Sequence, residues 1–214
     1  MPVDSVLKFV TLMLSKRSVI AMSNVNIMIV GVGGQGNLLA SRVIGNLALN
    51  NSYDVKMSEV HGMAQRGGSV VTGVKFGETV YSPIVEKGEA DIILAFEQLE
   101  GLRWVEYLKT EGKMLINTQK IDPMPVIMGA ADYPENIVES IKENYSNIKS
   151  INALGKAKIS GSMKVVNTVM LGLMAQYMEF DKKDWLEVIE EEVPSKFVEV
   201  NKKAFNSGFE YQAE

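Results

Sequence analysis

Residues Val25 to Val32 form an almost unbroken apolar run that ends in glycines. No other segment restricts the fold as tightly. A strand with no polar alternation must be buried on both faces, which happens in a largely parallel sheet covered by helices on each side. The glycines Gly31, Gly33, Gly34 and Gly36 follow at once, and Asn37 to Leu49 then places Leu38, Leu39, Val43, Leu47 and Ala48 at helical spacing. Strand, tight turn and helix thus succeed one another within 25 residues, the opening unit of a Rossmann-like α/β domain.

The alternation continues down the chain. Strands are predicted at Tyr53 to Val60, Ser69 to Phe76, Ala90 to Phe96, Lys113 to Asn117 and Ile148 to Ala153, with helices over Glu97 to Leu108 and from Pro134 to about Tyr145. Asp122-Pro123-Met124-Pro125 is expected to be irregular, because each proline lacks a donor and biases its predecessor away from helix. Ser162 to Met178 is apolar nearly all round. It suits either a central core helix or a helix half covered by a partner subunit. Lys182 to Phe209 reads as charged helix with one apolar stripe. The fold expected is a three-layer Rossmann-like α/β domain over residues 23–214, with a largely parallel sheet and C-terminal helices.

Residues 1–22 read as an N-terminal extension, either an upstream start or a peripheral helix. Val6 to Met13 is broken by Lys8 and followed by Ser15-Lys16-Arg17, which does not match a secretory signal, and it is too short to span a bilayer. A cytoplasmic location without membrane partners is therefore expected. A net charge of -4 and the absence of any basic run longer than a pair argue against nucleic acid as a partner.

The sequence contains no cysteine and a single histidine, His61. Disulfides, thiolate zinc sites, a cysteine nucleophile and iron-sulfur ligation by this chain are thereby excluded. A multi-histidine metal site from one copy is excluded too.

Two segments carry candidate chemistry. The turn Gly31-Val32-Gly33-Gly34-Gln35-Gly36 sits where a phosphate-binding fingerprint must sit, between a buried strand and a helix N-terminus. With Glu59 as a ribose ligand, it would suit a stand-alone NAD(P)-binding protein; alternatively its glycines simply permit close helix-strand packing. The loop from His61 to Gly68 combines an imidazole, the Arg66 guanidinium and the glycines Gly62, Gly67 and Gly68. Arg66 would clamp a phosphate or carboxylate and His61 would donate a hydrogen bond or move a proton. Equally, Gly67 and Gly68 would make a turn, Arg66 would pair with a surface acid and His61 would cap a helix. No nucleophile and base stand at a recognisable spacing.

Taken together, Gly31 to Gly36, Lys56 to Val70, Tyr81-Ser82-Pro83, Ala90-Asp91, Asn167 to Gly172 and Asn201 to Phe205 resemble the gamma-type domain of 2-oxoacid:ferredoxin oxidoreductases. The stretch Ser58 to Gly68 is most similar to the beta-subunit branch of the indolepyruvate enzymes. The resemblance implies an oxidoreductase subunit, inactive alone, in an assembly that decarboxylates a 2-oxoacid to an acyl-CoA with ferredoxin as acceptor. It further implies that thiamine diphosphate, Mg2+ and iron-sulfur clusters lie in a larger partner subunit, with coenzyme A also used by the assembly. This chain would bind no cofactor alone. His61 and Arg66 are the implied catalytic contributions, and Gly31, Gly33, Gly34, Gln35, Gly36, Gly67 and Gly68 the implied cofactor-facing edge. The glycine turn and the Arg66 loop are expected to lie side by side at the strand ends.

Overall fold

The structure, a computed structural model, describes residues 24–62 and 67–212. The expectations for the N-terminal extension and for Arg66 lie outside the described residues. Six strands form one sheet in the order β2-β3-β1-β4-β5-β6. They are β1 (Asn24–Val32), β2 (Asp54–His61), β3 (Ser69–Gly77), β4 (Ala90–Ala95), β5 (Leu108–Asn117) and β6 (Ile148–Ile151). β1, β4, β5 and β6 are parallel neighbours, whereas β3 runs against both β1 and β2.

The strand core divides by alternation, because successive side chains leave a strand on opposite faces. Ile27, Ile29, Ile92, Leu94 and Leu115 face one layer of helices. Met28, Val30, Ile93, Ala95, Met114 and Ile116 face the other. The first layer holds α1 (Asn37–Asn50) and, further on in the chain, α5 (Ala153–Ser160), α6 (Val166–Ala175), α7 (Lys182–Glu192) and α8 (Val198–Phe209). The second holds α2 (Gln98–Trp104) and α4 (Ile137–Asn144), while the short α3 (Met124–Ile127) lies in the β5–α4 connection.

All ten residues of α6 are buried, so the apolar segment is a core helix of this chain rather than one waiting for a cover. It crosses α8 at glycines on both sides. A Cβ on Gly172 would stand 2.0 Å from the Phe205 carbonyl oxygen, and one on Gly208 would stand 1.9 Å from that of Val169. Only hydrogen fits between the two backbones.

Several boundaries differ from the sequence expectation for local reasons. The segment after β6 is helical, because the Asn152 side chain accepts a hydrogen bond from Gly155 N at 2.8 Å and caps α5. Around Asp122 to Pro125 the chain is less irregular than expected, since Pro123 and Pro125 fall at the start of α3, where a missing amide costs little. Pro194 divides the C-terminal helical tract into α7 and α8.

The crossing generates a prediction. Gly172→Ala or Gly208→Ala, each forced against backbone atoms that cannot rotate away, should destabilise the chain by about 3 kcal/mol. Denaturant unfolding followed by circular dichroism measures it. A shift within ~0.5 kcal/mol would show that the helices separate freely.

Candidate functional site

The carboxyl ends of β1 and β2 and the start of β3 enclose a cleft of about 600 Å³. Val32, Gly33, Gly34 and Gly36 form one wall, Glu59, His61 and Gly62 another, and Leu38 and Val70 are apolar lining. Open α/β sheets place their sites at this edge.

The wall from the glycine turn is held from inside the fold. Gly34 and Gly36 adopt φ of 98° and 88°, which other residues reach only with strain. The Gln35 carboxamide folds beneath the turn, its Oε1 accepting from Val32 N at 2.7 Å and its Nε2 donating to the Phe96 carbonyl at 2.9 Å. Gln35 thus shapes the turn rather than lining the cleft. Gly31 leaves space for that carboxamide, since a Cβ there would lie 2.9 Å from Gln35 Oε1. Behind Gly36 stands Asn167 of α6, whose Nδ2 donates to the Gly36 carbonyl at 3.3 Å and would collide at 2.5 Å with any Cβ on that glycine.

The loop after β2 returns to the same place. Gly33 N donates to the Gly68 carbonyl at 2.8 Å, and Gly62 N donates to the Ser69 carbonyl at 2.8 Å. Gly67, with φ of 76°, turns the chain into β3. The glycine turn and the end of the His61 to Gly68 loop are therefore adjacent, as expected; Arg66 itself is outside the described residues.

On the opposite wall, Glu59 Oε1 lies 2.7 Å from His61 Nε2, and Glu59 Oε2 accepts from Thr72 Oγ1 at 2.9 Å. At the helix end of the cleft, Gly36 provides no side-chain cap and the first turn of α1 contains no acidic residue. The first α1 amide that bonds back is Ala40 N, to the Gly36 carbonyl. The preceding amides have no partner within the helix and carry its positive end. The described lining offers these amides, the Asn37 carboxamide and one imidazole, with a carboxylate already committed to two partners.

This geometry departs from a dinucleotide site in one respect. In such a fold the strand bearing the ribose acid lies next to the strand of the glycine turn. Here the antiparallel β3 stands between them, moving Glu59 a further strand spacing of about 4.8 Å away. For metals, no group of three or more suitable His, Cys, Asp or Glu side chains occurs among the described residues. Iron-sulfur ligation does not fit a sequence without cysteine.

Several supporting side chains escaped sequence reasoning. Asn117 Nδ2 shares the Phe96 carbonyl with Gln35 at 2.9 Å, and Asn117 Oδ1 accepts from Ala153 N at 3.1 Å. The buried Glu100 carboxylate accepts from Ser69 Oγ and pairs with Arg103. Glu97, 1% exposed, caps α2 through Glu100 N at 2.9 Å and accepts from Ile121 N at 3.2 Å and from the Tyr133 hydroxyl. Burial, followed by this hydrogen bond and the charge of Glu97, pushes the Tyr133 phenol far above its ordinary range. The one sequence signal was position: each acid or amide closes a strand or opens a helix.

Gln35→Ala should strip partners from Val32 N and the Phe96 carbonyl, costing about 1–3 kcal/mol. It should also speed amide exchange at Gly33 and Gly34 relative to β5. Hydrogen exchange of wild type and variant provides the check; unchanged protection in the turn would remove Gln35 from this role.

Comparison with known proteins agrees with the geometry. A family model described as pyruvate ferredoxin/flavodoxin oxidoreductase matches residues 26–211. The chain is 42% identical over 192 residues to indolepyruvate oxidoreductase subunit IorB of Pyrococcus horikoshii, covering 87% of this chain and 95% of that protein. It is 37% identical over 195 residues to the subunit of the same name from Methanothermobacter thermautotrophicus, covering 89% and 99%. Among solved structures it resembles the gamma subunit of a keto/oxoacid ferredoxin oxidoreductase from Geobacter sulfurreducens. That likeness has a TM-score of 0.65 at 26% identity, over 87% of this chain and 96% of the other. These likenesses give no support to a stand-alone dinucleotide-binding protein. They match the sheet, the glycine turn and the C-terminal helices as one unit: the chain belongs to the pyruvate ferredoxin/flavodoxin oxidoreductase family and is a subunit of an oxidoreductase of that kind.

Proposed function

We propose that this chain is the small, cofactor-free subunit of an indolepyruvate:ferredoxin oxidoreductase, and that its cleft completes the reaction centre of a larger partner. The observation that carries this reading is identity of about 40% along nearly the whole length of chains bearing that subunit name. The sequence supports the division of labour, because a chain without cysteine cannot ligate the clusters that a ferredoxin-linked reaction needs.

The overall chemistry converts a 2-oxoacid and coenzyme A to an acyl-CoA, carbon dioxide and a proton, with two electrons passing to ferredoxin. Thiamine diphosphate with Mg2+, held by the partner, would supply the carbanion stabilisation that decarboxylation requires. The present chain would contribute backbone amides from Gly34 and the start of α1, which favour an anionic oxygen of the oxoacid or the coenzyme. His61 would hydrogen-bond to the same small molecules. Arg66, two residues from Gly68 in the sequence, would add a planar cation for a carboxylate or phosphate. The assembly would work in the cytoplasm.

Co-expression of the chain with its partner, followed by native purification and assays on indolepyruvate, phenylpyruvate, pyruvate and 2-oxoglutarate, tests the reading. Stable association and ferredoxin reduction with indolepyruvate as the preferred substrate are expected. Oxidative turnover by the isolated chain, or tight calorimetric binding of NAD(H) to it, would overturn the proposal. Arg66→Ala should lower kcat/KM of the assembly by about tenfold, the order of one charged hydrogen bond, while leaving assembly intact. Unchanged turnover would reduce the chain to a scaffold.

A further inference from the structure

The Glu59–His61 contact lies at the surface, where an isolated ion pair contributes little to stability. Its geometry nevertheless exceeds that of a chance pair. Thr72 is 1% exposed and stands directly opposite Glu59 in the β2–β3 ladder, with Ile29 of β1 on its other side. Its hydroxyl holds Glu59 Oε2 at 2.9 Å, leaving Oε1 for His61 Nε2 at 2.7 Å. Glu59 and His61 are two residues apart on one strand and so share a face. The Glu59 side chain is only 19% exposed, whereas that of His61 is 59% exposed and borders the cleft beside the glycine turn. The imidazole is fixed at one nitrogen by a carboxylate that is itself fixed from the sheet interior. A carboxylate bound to one ring nitrogen sets which nitrogen remains for chemistry.

We propose that Glu59 and Thr72 are positioning residues that hold the His61 ring with Nε2 turned to the sheet. Nδ1 is then the nitrogen offered to the cleft; in the imidazolium, whose Nε2 proton Glu59 accepts, Nδ1–H donates to an oxygen of the 2-oxoacid or coenzyme entering there. The inference rests on the function proposed above and adds to it a defined ring orientation. Neither positioning residue touches the small molecule; each acts through His61.

The test uses the full-length chain assembled with its partner. Asparagine places its amide near the position of Nδ1 and glutamine near that of Nε2. His61→Asn should therefore retain more activity than His61→Gln, which should lose about tenfold in kcat/KM. Glu59→Gln and Thr72→Val should impair the same kinetic parameter as His61→Gln, and should add no further loss in combination with it. Thr72→Ser, which keeps the hydroxyl, should retain activity. A raised KM for coenzyme A would identify the coenzyme as the source of the oxygen, and a raised KM for the oxoacid would identify the substrate.

A second readout does not depend on turnover. His61 is the only histidine, so one imidazole spin system appears in long-range 15N spectra of the isolated chain. In the neutral ring the proton should reside on Nε2, and Glu59→Gln should redistribute it between the two nitrogens. A proton fixed on Nδ1, greater activity in His61→Gln than in His61→Asn, or additive losses in the double variants would overturn the proposal. An assembly that turns over no 2-oxoacid would defeat the functional reading instead, and the spectra would still decide the orientation of the ring.

Discussion

At the upper edge of the sheet, one carbonyl oxygen ties together three strands and, through Asn117, reaches a fourth. The Phe96 carbonyl, just beyond β4, accepts the Gln35 amide from the β1 turn and the Asn117 amide from the end of β5. Asn117 in turn accepts from the first residue of the helix after β6. A parallel sheet must open where its strands diverge into crossovers, and the backbone groups there lose their ladder partners. Buried side-chain amides are economical replacements, because each provides a donor and an acceptor on one rigid plane. The same links that satisfy the backbone fix the glycine turn, so this edge of the cleft is held by hydrogen bonds from inside the fold.

The second determinant is the placement of β3. Inserted antiparallel between β1 and β2, it separates the glycine turn from the acid that a dinucleotide fold would set against a ribose. It also supplies Thr72 and, through its first residue, the Ser69–Glu100 link to α2. One strand thus changes a familiar nucleotide edge into a wall whose acid is consumed internally. That arrangement differs from a stand-alone dinucleotide site, and the chain belongs to the pyruvate ferredoxin/flavodoxin oxidoreductase family.

Much of this was legible in the sequence where burial is continuous. The Val25 to Val32 run announced a strand covered on both faces, and the glycines after it announced the turn. Its use of Gln35 was not legible, because a glutamine that turns inward looks the same on paper as one that reaches a ligand. The direction of β3 was hidden for a similar reason: Val70, Thr72 and Val74 alternate equally well in either orientation. The adjacency of the His61 to Gly68 loop and the turn could be foreseen, since both follow strand ends. The Thr72–Glu59–His61 chain could not, as it depends on which residue stands opposite Glu59 across a ladder. The helix at Ala153 was missed because its signal lay in one capping side chain, Asn152, rather than in an apolar repeat.

The interlocked glycines of α6 and α8 have a consequence far from the crossing. With the two backbones in direct contact, Asn201 of α8 reaches Thr168, which it meets at 2.6 Å, and Thr168 N bonds Asn167 at 2.9 Å. Asn167 braces the back of Gly36. Helix α8 is therefore a buttress whose thrust is delivered, through three neighbouring side chains, to the rim of the cleft.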